Sequence, residues 1–294
     1  MKHFQLRHGI DADGRLGKDT LRELNTPISQ RVKQLQLALE RWRWAPHTFE
    51  HAPVVVNVPE FRLRAFDAAY HTELEMKIVA GEAYKHETPV FATEMKYLTF
   101  RPYWHVPLSI QRKELIPAIR RDRSYLAHNG YEVVNARDEV VAAGKVDNAI
   151  LNDLRSGKLQ LRQMPGDKNA LGLIAFMFPN EYSVYMHATP ATSLFAKTRR
   201  DFSHGCIRVE RPVELATWAL KGKPEWTSGR IEEAMHGSKT MNVRLDKPIP
   251  VLIVYATAVV LPNEEVHFSP DIYGQDAELE AELAKGYPTV GKKP

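Results

Sequence analysis

What the chain lacks narrows its reading first. It has 1 cysteine, so no intramolecular disulfide framework holds it together. No apolar run approaches the roughly 20 residues needed to span a bilayer as a helix. The longest, VLIVYATAVVL at 251–261 and LGLIAFMF at 171–178, have strand length and strand composition. Charge of one sign is not in large excess. A net +4 over 294 residues permits an anionic partner but falls short of the dense basic stripe of a nucleic-acid binder. The opening MKHFQLRHGIDADG has no apolar stretch of the kind a signal peptide carries. A P-loop and a G-x-G-x-x-G are missing, and so are internal repeats. The remaining composition, 44% apolar and 26% charged, excludes wholesale disorder and fits one large domain, or a medium one with small attachments.

Residues 1–25 read as a short helical piece, a loop punctuated by Gly14 and Gly17, and a helix through Leu24 capped by Asp19 or Thr20. Thr26 and Pro27 signal the start of a helix that runs to about Trp42, with Val32, Leu35, Leu39 and Trp42 at helical spacing. The period then changes. Residues 54–58, 61–67, 74–81 and 95–100 read as strands of an antiparallel meander with one wet face, FRLRAFD alternating most cleanly. Residues 109–166 read as a mostly helical insert between two strands. Pro107 and Pro117 bracket its basic helical patch, and a second helix covers 147–156. LGLIAFMF, the turn PNE and YSVYMH form a hairpin that is apolar on both faces and therefore central. Helices over 212–221 and about 228–236 precede strands over 240–245 and 251–260, and the tail beyond Tyr287 reads as loose.

The chemistry concentrates in YMHATPATSLFAKTRRDFSHGCIRVERP, residues 185–212. A lone cysteine is most often a small buried hydrophobe, but Ser203, His204 and Arg208 are poor company for one. Gly205 lets the backbone before Cys206 take an unusual turn and leaves amides open to an oxyanion. Arg199, Arg200, Arg208 and Arg211 supply a positive field that favours thiolate. His204, two residues away, would share a face with Cys206 in an extended segment, and His187 ends the preceding strand; either suits a base. A zinc site of His187, His204 and Cys206 is the other chemical reading, but these three show no H-x-x-x-H or C-x-x-C spacing. No metal and no cofactor are expected.

At these residues the sequence resembles the L,D-transpeptidase catalytic domain, whose signature is a histidine followed at a distance by Ser/Thr-His-Gly-Cys, an apolar residue and Asn or Arg. Here it is His187, then Ser203, His204, Gly205, Cys206, Ile207 and Arg208. ERWRW (40–44), VNVPEFRLRAFD (56–67), RPYWHVPLSI (101–110), NALGLIAFMFPNEYSVYMHATP (169–190) and SPDIYG (269–274) are similar to the large Gram-negative subtype, which carries a capping insert. FQLRHGIDADGRLGKDTLRELN (4–25) resembles the latter part of a peptidoglycan-binding repeat.

The resemblance implies a mainly β fold with helices (α+β), a β-sandwich under a helical cap. It implies a binding-repeat fragment at 1–27, a linking helix at 28–50, a catalytic domain at 51–280 that includes the insert at 109–166, and a tail at 281–294. The implied chemistry is on the cell wall. Cys206 attacks the third residue of a peptidoglycan stem peptide, D-alanine leaves, and a second stem resolves the thioacyl enzyme as a 3→3 cross-link. His187 is the base, with His204 beside it, and amides around Gly205 and Cys206 bind the oxyanion. Arg208, Tyr185, Trp104 and Ser203 line the substrate pocket; plain core packing is the alternative for Tyr185 and Trp104. Hydrolysis of the same stem, or a non-catalytic binding module, are the rival functions. The partners implied are donor and acceptor stems and carbapenem-type β-lactams, with no nucleic acid and no membrane span. A periplasmic location follows, and with no signal peptide and a clipped repeat, residue 1 is not expected to be the native start.

Overall fold

The computed structural model describes residues 1–286; the tail beyond Tyr287 lies outside the described residues. Three helices open the chain, α1 (Lys2–Arg7), α2 (Lys18–Leu24) and α3 (Ile28–Trp44). The first two fold around one side chain. Buried Gln5 donates from Nε2 to Asp13 (3.1 Å), the Arg15 carbonyl (2.9 Å) and Thr20 (2.9 Å), and accepts from Gly14 N–H. The α2 N-cap is Gly17, with no side-chain cap, so neither Asp19 nor Thr20 caps it; Thr20 is spent on Gln5. Pro27, not Thr26, sits at the N-cap of α3, and the helix continues two residues past Trp42.

The apolar spacing of α3 misleads about its buried face. Val32, Leu39 and Trp42 stay exposed while Leu37, Ala38, Arg31 and Glu40 are buried. The helix docks through Ala38, with Leu35 beside it, on Ala256, Ala258 and Phe268, and through ion pairs: Arg31 with Glu23 at 2.6 Å and Arg41 with Asp276 at 2.5 Å. Buried pairs of this kind need their geometry kept, because either charge left alone would be costly.

Four strands follow: β1 (Val54–Asn57), β2 (Arg62–Phe66), β3 (Thr72–Gly81) and β4 (Phe91–Phe100). In β2 alternate residues Leu63 and Ala65 are buried, as a half-wet strand requires. The meander holds through β3, but β4 leaves it and pairs elsewhere.

The insert carries β5 (Trp104–His105), α4 (Leu108–Ile110), a π-helical segment (Gln111–Leu115), α5 (Ile116–Arg121), α6 (Tyr125–His128), β6 (Tyr131–Val134), β7 (Val140–Ala143), α7 (Asn148–Ser156) and β8 (Gln160–Gln163). It is therefore not mostly helical: β5-β8-β6-β7 form their own four-stranded sheet. Ile119, Leu126, Val133, Leu151, Leu154 and Leu161 give it a separate core. Pro117 does not end the coil as expected, since the wide π turn precedes it and proline is tolerated in the first turn of α5. The predicted 147–156 helix is present, capped by Asp147 on Ile150 N–H and closed by left-handed Gly157.

The chain then returns to the main sheet with β9 (Ile174–Met177), β10 (Met186–His187), β11 (Asp201–Ser203) and β12 (Ile207–Val209). Helices α8 (Pro212–Ala219) and α9 (Ser228–His236) match the sequence reading. The two strands predicted over 240–260 are instead one long β13 (Met241–Val254), bulged between Arg244 and Ile249, where Pro248 cannot donate to the ladder. A hairpin, β14 (Ala258–Val260) and β15 (Val266–Phe268), follows, and α10 (Gln275–Ala284) runs past the boundary expected at 280. Residues 1–27 dock on that hairpin: His8 stacks between Phe4 and Phe268, and Arg7 bonds the Val266 carbonyl.

The strand order is β11-β3-β12-β10-β9-β4-β13-β1-β2, and β2 pairs with β3. The α+β class stands, with its layers made from one sheet closed on itself. Leu63, Met76, Ile78, Met95, Leu98, Phe176, Met186, Ile207 and Val251 fill the interior. Each such side chain contributes on the order of 2 kcal/mol, which fixes strand register and, with it, which residues face outward.

Candidate active site

The turn carrying Cys206 is defined by β3. Strand β11 pairs parallel with β3 at Ala80 and Gly81, and β12 pairs antiparallel with it at Ile78 and Val79. The two lie on opposite edges, so residues 203–206 step over the end of β3. Gly205 has φ +108°, a backbone shape that only glycine adopts without strain. Ser203 is buried beneath the turn; its Oγ donates to the Cys206 carbonyl at 2.6 Å and accepts the Gly205 N–H at 3.1 Å. Ser203 thus builds the turn and does not line a pocket. It also consumes the Gly205 N–H, and the Cys206 N–H, with no intramolecular acceptor among the described residues, stays open beside the sulfur.

Strands β10 and β12 pair parallel, Met186 with Ile207 and His187 with Arg208, and Ile207 N–H bonds the Tyr185 carbonyl at 3.0 Å. Paired residues share a face and neighbours alternate. Met186 and Ile207 point into the core. Tyr185, His187, Cys206 and Arg208 therefore stand together on the opposite face. The Tyr185 and His187 rings lie 5.8 Å apart, tilted by 54°. The Sγ of Cys206 contacts the Ser183 carbonyl at 3.8 Å.

The His187 imidazole is buried, and Nδ1 meets the Ala188 carbonyl at 2.5 Å. A carbonyl only accepts, so Nδ1 carries the proton and the neutral ring keeps Nε2 as its basic nitrogen. Burial, with help from Arg208, outweighs the carbonyls of Ala188 and Leu171 and lowers the ring pKa to about 4. Burial likewise pushes the Cys206 thiol up to about 11, although Tyr185, through its backbone and its hydroxyl, and Arg208 favour thiolate. The resting pair is therefore neutral thiol and neutral imidazole.

The expected field of four arginines shrinks to one. Arg199 is held by Asp201 at 2.7 and 2.8 Å, Arg200 is spent on the carbonyls of Ile78, Phe61, Lys197 and Thr198, and Arg211 bonds the Glu75 carbonyl. Only Arg208 faces the sulfur, and its buried Nε has no hydrogen-bond partner among the described residues.

One further expectation fails on geometry, and for Trp104 the core-packing alternative is the one seen. His204 does not share the Cys206 face, because Gly205 breaks the extended backbone between them. Its Nε2 meets Glu114 of the insert at 2.6 Å, and its ring packs on His86 at 4.7 Å. Trp104 packs against the insert's own core, 6.4 Å from the Tyr131 ring. Sequence reasoning missed Glu114 and Ser183. The first is remote in sequence, and the second acts through a backbone atom, which carries no residue signature.

A "Putative L,D-transpeptidase" of Haemophilus influenzae is 28% identical over 261 residues, 87% of this chain and 52% of that protein. The chain thus spans about half the length of the curated relative it matches. Crystal structures of Mycobacterium tuberculosis L,D-transpeptidase 3, one in complex with a faropenem-derived adduct, align over 69% of this chain and 60% and 59% of theirs, at 11% and 12% identity and TM-scores of 0.32 and 0.31. The family model for the L,D-transpeptidase catalytic domain (YkuD) matches residues 52–227, which hold the insert, both paired strands and the turn. With more than half of its length inside that match, the chain belongs to the L,D-transpeptidase catalytic domain family.

Proposed function

We propose that the protein is a cysteine L,D-transpeptidase of the cell envelope. The observation that carries this reading is the shared outer face of Tyr185, His187, Cys206 and Arg208 on paired strands β10 and β12. The Cys206 sulfur attacks the carbonyl of the third stem residue as its proton passes to Nε2 of His187. The oxyanion is met by the Cys206 N–H. On collapse the peptide bond breaks, His187 returns the proton to the departing D-alanine amine, and a thioester remains. A side-chain amine of a second stem then attacks, His187 takes its proton, and the thiol is regenerated as the 3→3 cross-link forms.

Because thiol and imidazole are both neutral at rest, proton transfer accompanies attack and no thiolate is stored beforehand. Arg208, with its unpaired buried Nε, suits a stem carboxylate. A substrate that lies in the wall puts the working location in the periplasm.

The reading is tested by incubating the protein with disaccharide-tetrapeptide and following products by mass. Loss of D-alanine with dimer formation is the expected result. Monomeric tripeptide alone would make the protein a carboxypeptidase, and an unchanged substrate would make it a binding module. Full activity in Cys206→Ala would overturn the mechanism.

A further inference from the structure

We infer that Thr88, with Tyr273 behind it, is a positioning residue that aims the Cys206 N–H at the oxyanion of acylation; the inference rests on the acyl-transfer reading above. Thr88 is fully buried in the loop that leaves β3 and folds back beneath the turn. Its Oγ1 accepts the Gly81 N–H at 2.8 Å and donates to the Gly205 carbonyl at 2.8 Å. Both directions are forced, since an amide N–H only donates and a carbonyl only accepts. One hydroxyl thus ties the end of β3 to the turn that crosses it.

The Gly205 carbonyl and the Cys206 N–H belong to one rigid trans peptide unit and point in opposite directions. Holding the oxygen therefore aims the N–H. The unit needs holding, because a glycine at its head makes rotation of the peptide plane cheap. Donation to the oxygen also polarises the amide and strengthens its N–H as a donor.

Thr88 is itself fixed. Tyr273 Oη donates to the Gly81 carbonyl at 2.7 Å and accepts the Thr88 N–H at 3.3 Å. Tyr273 N–H in turn donates to Tyr255 Oη at 2.9 Å, and that hydroxyl donates to Asp271 at 2.5 Å. Close packing completes the arrangement: a Cβ on Gly81 would fall 1.9 Å from the His86 carbonyl. Tyr255, Asp271 and Tyr273 lie outside residues 52–227, so the unit that shapes the catalytic turn is larger than the segment the family model matches.

The experiment compares two reactions of Cys206 in the full chain. Acylation by p-nitrophenyl acetate passes through a tetrahedral oxyanion, whereas alkylation by iodoacetamide does not. Thr88→Val should lower the ratio of acylation to alkylation about 10- to 100-fold, less than the roughly 100- to 1000-fold cost of removing one oxyanion donor outright. Thr88→Ser should restore the ratio, and Tyr273→Phe should lower it by less than Thr88→Val. Equal losses in both reactions, no loss in either, or a Thr88→Ser variant as impaired as Thr88→Val would overturn the inference. If Thr88→Val does not fold, an unchanged ratio in Tyr273→Phe overturns it as well. D-alanine release from tetrapeptide, measured on the unmodified chain, reports the substrate reading alone, because the ester contains no stem.

Discussion

The imidazole of His187 is held by the carbonyl of the very next residue, Ala188, at 2.5 Å from Nδ1. Among the described residues no carboxylate bonds this ring. A neutral carbonyl fixes the tautomer without favouring the imidazolium as strongly as a carboxylate would, and burial keeps the ring uncharged.

That arrangement gives a stability signature. The folded ring stays neutral down to about pH 4, while the unfolded chain takes up the proton below the ordinary value of 6.5. The contribution is fully present above pH 6.5 and is lost as pH falls toward 4, by about 3 kcal/mol in total. Denaturant unfolding of wild type and His187→Gln at pH 7.5 and 4.5 should show a flatter pH dependence in the variant. Parallel curves would contradict a buried neutral histidine.

The raised thiol predicts slow alkylation at neutral pH. Iodoacetamide modification of Cys206 should climb roughly tenfold per pH unit from 7 toward 10, because burial has moved the pKa to about 11. Tyr185→Phe, which removes the hydroxyl that favours thiolate, should slow the reaction at pH 8 by about tenfold, as expected for one hydrogen bond to a charged group. A rate that levels off near pH 6 would reveal a preformed thiolate–imidazolium pair and sink the neutral-pair description.

The contact between His204 and Glu114 joins the insert to the turn that carries Cys206, on its exposed side. Both groups are partly exposed, so Glu114→Gln should cost less than about 1 kcal/mol of global stability. Its effect should appear locally instead. Hydrogen exchange over 108–121 should quicken by up to about fivefold, the equivalent of such a local loss, with exchange in β10 and β12 unchanged. Uniform acceleration across the chain would argue that the pair supports the whole fold.

A carbapenem offers the sulfur a strained carbonyl with the same oxyanion geometry as a stem. Intact-protein mass should show one adduct per chain, mapped to Cys206, and none in Cys206→Ala. An adduct that persists in the variant would remove Cys206 from the reaction, and no adduct on wild type would remove β-lactams from the expected partners.

Local signals were legible wherever a short rule governs an element. The helix read over 147–156 is α7, the apolar hairpin fell at the centre of the sheet, and the β10–β12 face followed from residue spacing once the strands were paired. Long-range decisions were not legible. Short strands such as Tyr131–Val134 and Gln160–Gln163 hide among turns, and only their mutual pairing gives the insert its sheet. Of the α3 stripe only Leu35 packs inward, because Ala38 and the ion pairs of Arg31 and Arg41 set the docking face. At the site, the arginine count overstated the field, since carbonyls and Asp201 had already claimed three of the four.

The crossing of β3 by its two flanking strands has a consequence for chain length. To pass from one edge of β3 to the other, residues 203–206 bridge two interstrand spacings, about 9.5 Å. The β12 end is held in register by β3, while the β11 end carries an irregularity between Asp201 and Ser203. A change in length that reached β12 as a one-residue slip would turn Ile207 to the outside and Cys206 and Arg208 into the core. The interval from serine to cysteine is therefore a bridge with unlike ends. Of its two ends the β12 side sets which way the sulfur faces, because that is the side whose register is regular.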